Sequence, residues 1–175
     1  MSDKAMPSIR LATAADAGLL AELGASTFYD TFIADTTPED MAAYLSASFS
    51  PLLQAQEIAD VDTTFFIAEI AGIATGYAKL QSSAAPACVT GDQPVELCRL
   101  YVASDLIGSG VGAALMQACI SEAERAGCQS MWLGVWEHNE RAQRFYERWG
   151  FKVVGEHIFQ LGSDAQRDLV MQRKI

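Results

Sequence analysis

Apolar and polar residues along this chain alternate between two patterns, and the switches between them lay out its elements. Runs rich in β-branched and aromatic residues predict strands at Ile9 to Leu11, Thr64 to Ile70, Ile73 to Leu80, Val95 to Val102, Ser130 to Trp136, Lys152 to Leu161 and Arg167 to Arg173. Ala71-Gly72 and Gly162-Ser163-Asp164 read as hairpin turns between neighbouring runs. Leu19, Leu20 and Leu23 recur at helical spacing behind a capping arrangement of Thr13 and Asp16, and that helix is expected to end near Thr27. The segment after it, STFYDTFIADTT, reads as a loop that is both aromatic and acidic. Pro38 opens a second helix through Met41, Tyr44 and Leu45, and Pro51 to Asp60 reads as another helical piece. Val111, Leu115, Cys119, Ile120 and Ala123 form the buried stripe of a longer helix that stops at Ala126-Gly127. Asn139 is placed to cap a short helix through Arg148, ended by Gly150. Gln81 to Pro94 is small, polar and proline-containing, which predicts a mobile surface loop.

This order predicts an α+β fold: a mixed, mostly antiparallel sheet between helices (α/β/α layers), interrupted by one strand–helix–strand unit. With no repeat or linker, a single domain over 1–175 is expected, long enough for a proper core.

The central stretch, Glu96 to Ala126, carries the first chemistry. Gly108, Gly110 and Gly112 fall where the strand ends and the helix begins. Glycine there lets backbone approach a ligand closely, and the first helical N–H groups have no intrahelical partner. With the positive end of the helix dipole, these donors suit a phosphate or pyrophosphate. Gly108-x-Gly110-x-x-Ala113 also matches a dinucleotide fingerprint. Too little chain follows for a doubly wound sheet, however, and no acidic residue stands at the end of the next strand. A Walker A loop is excluded because no Gly-Lys-Ser/Thr follows. A second group lies downstream. Asn139 and Tyr146 are two helical turns apart, so they share a face, and a tyrosine hydroxyl can donate a proton in catalysis.

Together these stretches resemble the GNAT superfamily of N-acetyltransferases. The turn from Ile107 to Gly112 is similar to that family's acetyl-CoA loop, Arg/Gln-x-x-Gly-x-Gly/Ala, with Ile107 departing from its first position. Asn139-x-x-Ala142-x-x-Phe145-Tyr146 and Gly150-Phe151 are similar to its second cofactor motif. The resemblance implies a GNAT-like sheet and acetyl-CoA as cosubstrate. It places Leu100, Tyr101 and Val102 along the pantetheine arm. It sets Gly108, Ser109, Gly110, Val111, Gly112 and Ala113 to face the pyrophosphate, with Asn139 and Phe145 beside the cofactor. It assigns Tyr146 the protonation of the departing thiolate. Trp132 to Ala142 and Gly155 to Ile175 further resemble the bacterial branch that acetylates spermidine and spermine.

The implied reaction is direct attack of an amine on the thioester. A primary amine of pKa about 10.4 is neutral in only about one molecule in 2,500 at pH 7, so a base is useful, and Glu96 is the candidate. Tyr29, Asp30, Asp35 and Glu137 are candidate substrate contacts, the carboxylates for distal ammonium groups. Other amines (an amino acid, an aminoglycoside, a protein N-terminus) and a non-catalytic acyl-CoA-binding regulator stay open as alternatives.

Charge and cysteines narrow the field. Twelve basic against 22 acidic side chains give a net charge of −10, which disfavours nucleic acid and suits a cationic partner. Cys88, Cys98, Cys119 and Cys128 show neither a C-x-x-C pair nor metal-ligand spacing, so free thiols and no metal are expected. No apolar run is long enough to cross a membrane, and no secretory segment opens the chain, so a cytoplasmic protein without a membrane partner is expected. Dimers are common in the family resembled, so a homodimer is a further expectation.

Overall fold

The computed structural model describes residues 6–175; the domain expected over 1–175 therefore reaches outside the described residues at its start. Among the described residues, seven strands form one sheet: β1 (Ser8–Leu11), β2 (Thr63–Ile70), β3 (Ile73–Gln81), β4 (Pro94–Val102), β5 (Ser130–Trp136), β6 (Lys152–Leu161) and β7 (Asp164–Lys174). Their order is β1-β2-β3-β4-β5-β7-β6, and every pairing is antiparallel except β4 with β5. The sheet is covered by helices α1 (Ala17–Phe32), α2 (Pro38–Ser48), α3 (Pro51–Ala59), α4 (Val111–Arg125) and α5 (Glu140–Arg148).

On one face, the apolar stripe of α4 (Val111, Leu115, Cys119, Ile120) packs on Phe66, Ala78, Leu97 and Leu133, and α5 adds Phe145, Tyr146 and Trp149 at the margin. On the other, Leu20 of α1 packs on Phe65, Ile67 and Tyr77, and Phe28 with Met41 of α2 meets Phe49 and Leu161. Both faces are buried, which gives the layered arrangement expected from the chain order.

The parallel pair sets up the site. β4 and β5 match only at Pro94↔Ser130, Val95↔Met131 and Glu96↔Trp132. Beyond Glu96, β4 stays paired with β3 up to Val102, and β5 stays paired with β7 up to Trp136. The two halves of the sheet therefore splay apart. A bulge helps: Lys79 pairs with Arg99 but Leu80 with Leu97, leaving Cys98 as the extra residue that bends β4 just past the last β5 pair.

Two boundaries and one loop differ from expectation. α1 runs on to Phe32 rather than ending near Thr27. There the hydroxyls of Thr27 and Thr31 donate to carbonyls one turn back (both 2.7 Å), so hydroxyl residues that usually favour turns satisfy themselves inside the helix. β7 begins at Asp164 rather than Arg167, because the β6–β7 pairing closes on a tight Gly162-Ser163 turn. The segment from Gln81 to Pro94 lies at the surface but is pinned, since Thr90 N–H donates to Gln172 Oε1 (3.1 Å) and Ser130 Oγ donates to the Thr90 carbonyl (3.3 Å).

The cap read at Thr13 and Asp16 is present. Asp16 accepts from the Thr13 N–H (2.7 Å) and from both terminal nitrogens of Arg10 (2.9 and 2.8 Å), while Arg10 Nε donates to Glu69 (2.8 Å), tying β1 and β2 to the entry of α1. The Arg10 hydrogen bonds, with those from Thr13, overcome the cost of burial and hold the Asp16 carboxyl at about 2. An ordinary unfolded-state value is about 3.9. The stabilisation is therefore complete above about pH 4 and is lost as pH falls through about 2. Asp16→Asn should lower stability at pH 7 by about 1 kcal/mol, with the deficit shrinking between about pH 4 and 2. Urea unfolding of both proteins across that range checks it.

Candidate active site

The splay opens a cavity of about 620 Å³ that passes between β4 and β5 from one face of the sheet to the other. The β5-facing edge of β4 beyond Glu96 has no strand beside it among the described residues, so its backbone groups are open to an extended ligand.

At the α4 end, the glycine turn behaves as its sequence suggests. Gly108 and Gly110 have φ of 84° and 101°, values that L side chains rarely adopt. Gly110 caps α4 without any side-chain cap, and the first intrahelical bond runs from Ala114 N–H to the Gly110 carbonyl (3.0 Å). The N–H groups of Val111, Gly112 and Ala113 are thus left without intrahelical acceptors. Ser109 Oγ beside them is buried and has no hydrogen-bond partner among the described residues. Orphan donors at a helix N-terminus fit a pyrophosphate. Ile107 is exposed at the cavity edge, and the guanidinium groups lining this cavity on the helical side come from Arg141 and Arg148 of α5.

α5 follows β5 directly. Asn139 Oδ1 caps it by accepting from Ala142 N–H (3.2 Å), which fixes the helix so that Asn139, Ala142, Phe145 and Tyr146 line the cavity. Phe145 also contacts the glycine turn, since a Cβ at Gly112 would stand 3.7 Å from its ring. The Tyr146 ring packs edge-on against Phe151. Burial pushes its hydroxyl well above the ordinary tyrosine value, so it stays protonated at neutral pH.

Of the residues singled out in the sequence, the fold brings together Glu96, Leu100, Tyr101, Val102, Gly108, Gly110, Gly112, Ala113, Asn139, Phe145 and Tyr146 around the cavity. Glu96 sits at the base of the splay, where Ser83 Oγ donates to its Oε2 (3.1 Å). Ser109 and Val111 belong to the turn but not to the cavity wall, and the Val111 side chain is fully buried under α4. Tyr29, Asp30, Asp35 and Glu137 are outside the wall. Asp30 accepts from Ser104 Oγ (3.1 Å), and Glu137 is bound by Arg167 (2.6 Å).

Of the opposite end of the cavity, the sequence showed only the aromatic segment that carries Phe28 and Phe32. The wall there is aromatic: Phe28 and Phe32 of α1, Tyr44 of α2, Phe49, Trp136 of β5 and Phe159 of β6. Neighbouring rings touch in sequence around this wall. Their centroids are 4.4 Å apart for Phe28 and Tyr44, 5.6 Å for Tyr44 and Phe159, and 6.1 Å for Phe32 and Trp136. Arg99 lies over the Phe49 ring, but its charge is met by Glu57 (2.9 Å), which Lys79 also approaches (3.3 Å). The remaining polar lining comes from Thr31 of α1, Gln166 and Asp168 of β7 and His157 of β6. The signal for Asp168 was its place in the alternation Gln166, Asp168, Val170, Gln172, an acid on the buried face of a strand.

Comparison with known proteins agrees with this geometry. The model of the acetyltransferase (GNAT) family matches residues 27–151. An uncharacterized N-acetyltransferase of Mycobacterium tuberculosis is 35% identical over 161 residues, covering 91% of this chain and 98% of that protein. A shorter stretch of 66 residues, 37% of this chain and 43% of the relative, is 35% identical to a probable spermine N(1)-acetyltransferase of Bacillus subtilis subsp. natto. Among solved structures, the paia N-acetyltransferase of Thermoplasma acidophilum in complex with coenzyme A superposes with a TM-score of 0.78 at 20% identity, covering 97% of this chain and 99% of that one.

An L side chain in left-handed backbone costs about 1–2 kcal/mol, so alanine at Gly110 should pull the turn away from its binding shape. Gly110→Ala is expected to weaken coenzyme A binding about tenfold, measured by calorimetry, with helix content unchanged by circular dichroism.

Proposed function

The chain belongs to the acetyltransferase (GNAT) family and is an N-acetyltransferase that uses acetyl-CoA as cosubstrate; from that premise we propose that it acetylates a small polyamine of the spermidine and spermine type. The observation that carries the reading is the through-sheet cavity, with phosphate-seeking backbone at one end and an aromatic chamber holding a buried carboxylate at the other. Aromatic faces attract ammonium groups, and the net charge of −10 draws polycations toward the protein. The partial similarity to a probable spermine N(1)-acetyltransferase supports the same substrate class.

In this reading the turn from Gly108 to Ala113 holds the pyrophosphate, and the free edge of Leu100 to Val102 takes the pantetheine arm. The neutral amine enters from the aromatic side. Its nitrogen bonds to the acetyl carbon, the carbon–sulfur bond breaks, the amine proton leaves to a base, and the thiolate gains a proton. Backbone N–H groups of Leu100 to Val102 stabilise the charge on the carbonyl oxygen. Glu96, in the last β4–β5 pair, is the proposed base.

Tyr146 is the proposed proton donor to the thiolate. A thiol of pKa about 8.5 and a phenol of about 10 make that transfer uphill by roughly 2 kcal/mol in water. Burial raises the phenol further, but it also raises a thiolate leaving in the same enclosure.

Thiol release from acetyl-CoA should be followed with spermidine, spermine, lysine, an aminoglycoside and a peptide N-terminus. Selective turnover of the polyamines is expected; preference for another amine would overturn the substrate class, and binding of acetyl-CoA without turnover of any would favour a regulator. Tyr146→Phe should lower kcat about 100-fold and leave acetyl-CoA affinity nearly unchanged. Weakened binding at unchanged kcat would remove its role.

A further inference from the structure

Resting on the amine-acetylation reading, we propose that Asp168 is the specificity-determining anion of the acceptor chamber: it holds a second ammonium of the substrate while the first is acetylated. Asp168 sits on β7 between β5 and β6, paired in register with Trp136 on one side and His157 on the other. Only 8% of it is exposed, and what is exposed faces the cavity. Gly134 on β5 leaves the space it occupies: a Cβ there would stand 3.2 Å from Asp168 Oδ2 and 2.9 Å from His157 Nε2.

What the carboxylate lacks, among the described residues, is an arginine or lysine at contact distance. From β6, His157 Nε2 lies 3.8 Å from Oδ2, beyond hydrogen-bond length. From β5, the neighbours are Gly134 and Trp136, both uncharged. From α1 and α2, the chamber presents Phe28, Thr31, Phe32 and Tyr44. Arg99 of β4 is committed to Glu57. Arg167, next along β7, pairs with Glu137 and Glu156. Burial accordingly pushes the Asp168 carboxyl up to about 6, with His157 opposing. Near pH 7 it is an anion in a largely apolar enclosure, and an incoming ammonium flanked by Tyr44, Trp136 and Phe159 would satisfy it.

The test compares butane-1,4-diamine with pentylamine, which puts a methyl where the second ammonium would stand. Binding of each is measured by calorimetry on the wild-type protein, Asp168→Asn and His157→Gln. The diamine should bind the wild type at least about tenfold more tightly than pentylamine, and the preference should vanish in Asp168→Asn. Wild-type diamine affinity should be level above about pH 6 and fall below it, as the carboxyl protonates. That fall should persist in His157→Gln, which removes charging of the imidazole as its cause. Equal binding of the two amines by the wild type, an unchanged preference in Asp168→Asn, or an acid limb that disappears in His157→Gln would each overturn the proposal. Should Asp168→Asn not fold, the wild-type preference and the pH limb in His157→Gln decide. Asp168-dependent diamine binding without polyamine turnover would remove the substrate reading and leave this assignment standing.

Discussion

Everything in this protein depends on a pairing that stops. After Glu96 and Trp132, β4 and β5 no longer share hydrogen bonds, yet each remains held on its far side, by β3 and β7. A sheet interior that loses a ladder would ordinarily leave unsatisfied backbone groups, which is costly. Here the gap opens into the cavity, so the exposed edge is available to pair with an extended ligand. The bulge at Cys98 bends β4 at the point where separation begins, and α4 joins the two strands as a crossover. Removing the separation would leave the glycine turn and the aromatic chamber on opposite faces of a closed sheet.

The two faces meet opposite chemical demands. On the α4 and α5 side the ligand-facing groups are backbone donors and the exposed end of a helix, suited to anionic phosphate. On the α1 and α2 side they are ring faces and a carboxylate, suited to a cation. In the proposed reaction, a polyanionic acetyl donor and a cationic acceptor would be kept apart until they meet in the gap. Pairing of Arg99 and Lys79 with Glu57 matters to this division, because it offsets one of the two positive charges near the aromatic chamber.

The acceptor wall also explains why α1 extends past the point where its composition weakens. Phe28 and Phe32 must lie one turn apart to face Tyr44 and Trp136, and the hydroxyls of Thr27 and Thr31 bond back to the helix instead of breaking it. α2, capped at Thr37 and joined through Asp40 to the Ser163 N–H (2.6 Å), closes the same wall against the β6–β7 hairpin.

Local chemistry was legible in the sequence. The glycine turn, the Thr13 and Asn139 caps, the stripe of α4 and the two-turn spacing of Asn139 and Tyr146 all act within a few residues of one another. Short-range sterics and hydrogen bonds suffice to place them. From those local pieces the layered α+β architecture and the glycine turn at one end of the cavity followed. The full aromatic end did not, because its members come from α1, α2, β5, β6 and β7 and meet only in the tertiary structure. Asp30, Asp35 and Glu137 looked like substrate contacts by charge alone, whereas the fold leaves all three outside the cavity wall and gives Asp30 and Glu137 other partners. Nothing local in the sequence singles out Asp168 beyond its place in the strand alternation; the pairing of β7 between β5 and β6 buries it. A residue's chemistry is written in its side chain; its dielectric surroundings and partners are set by the tertiary structure.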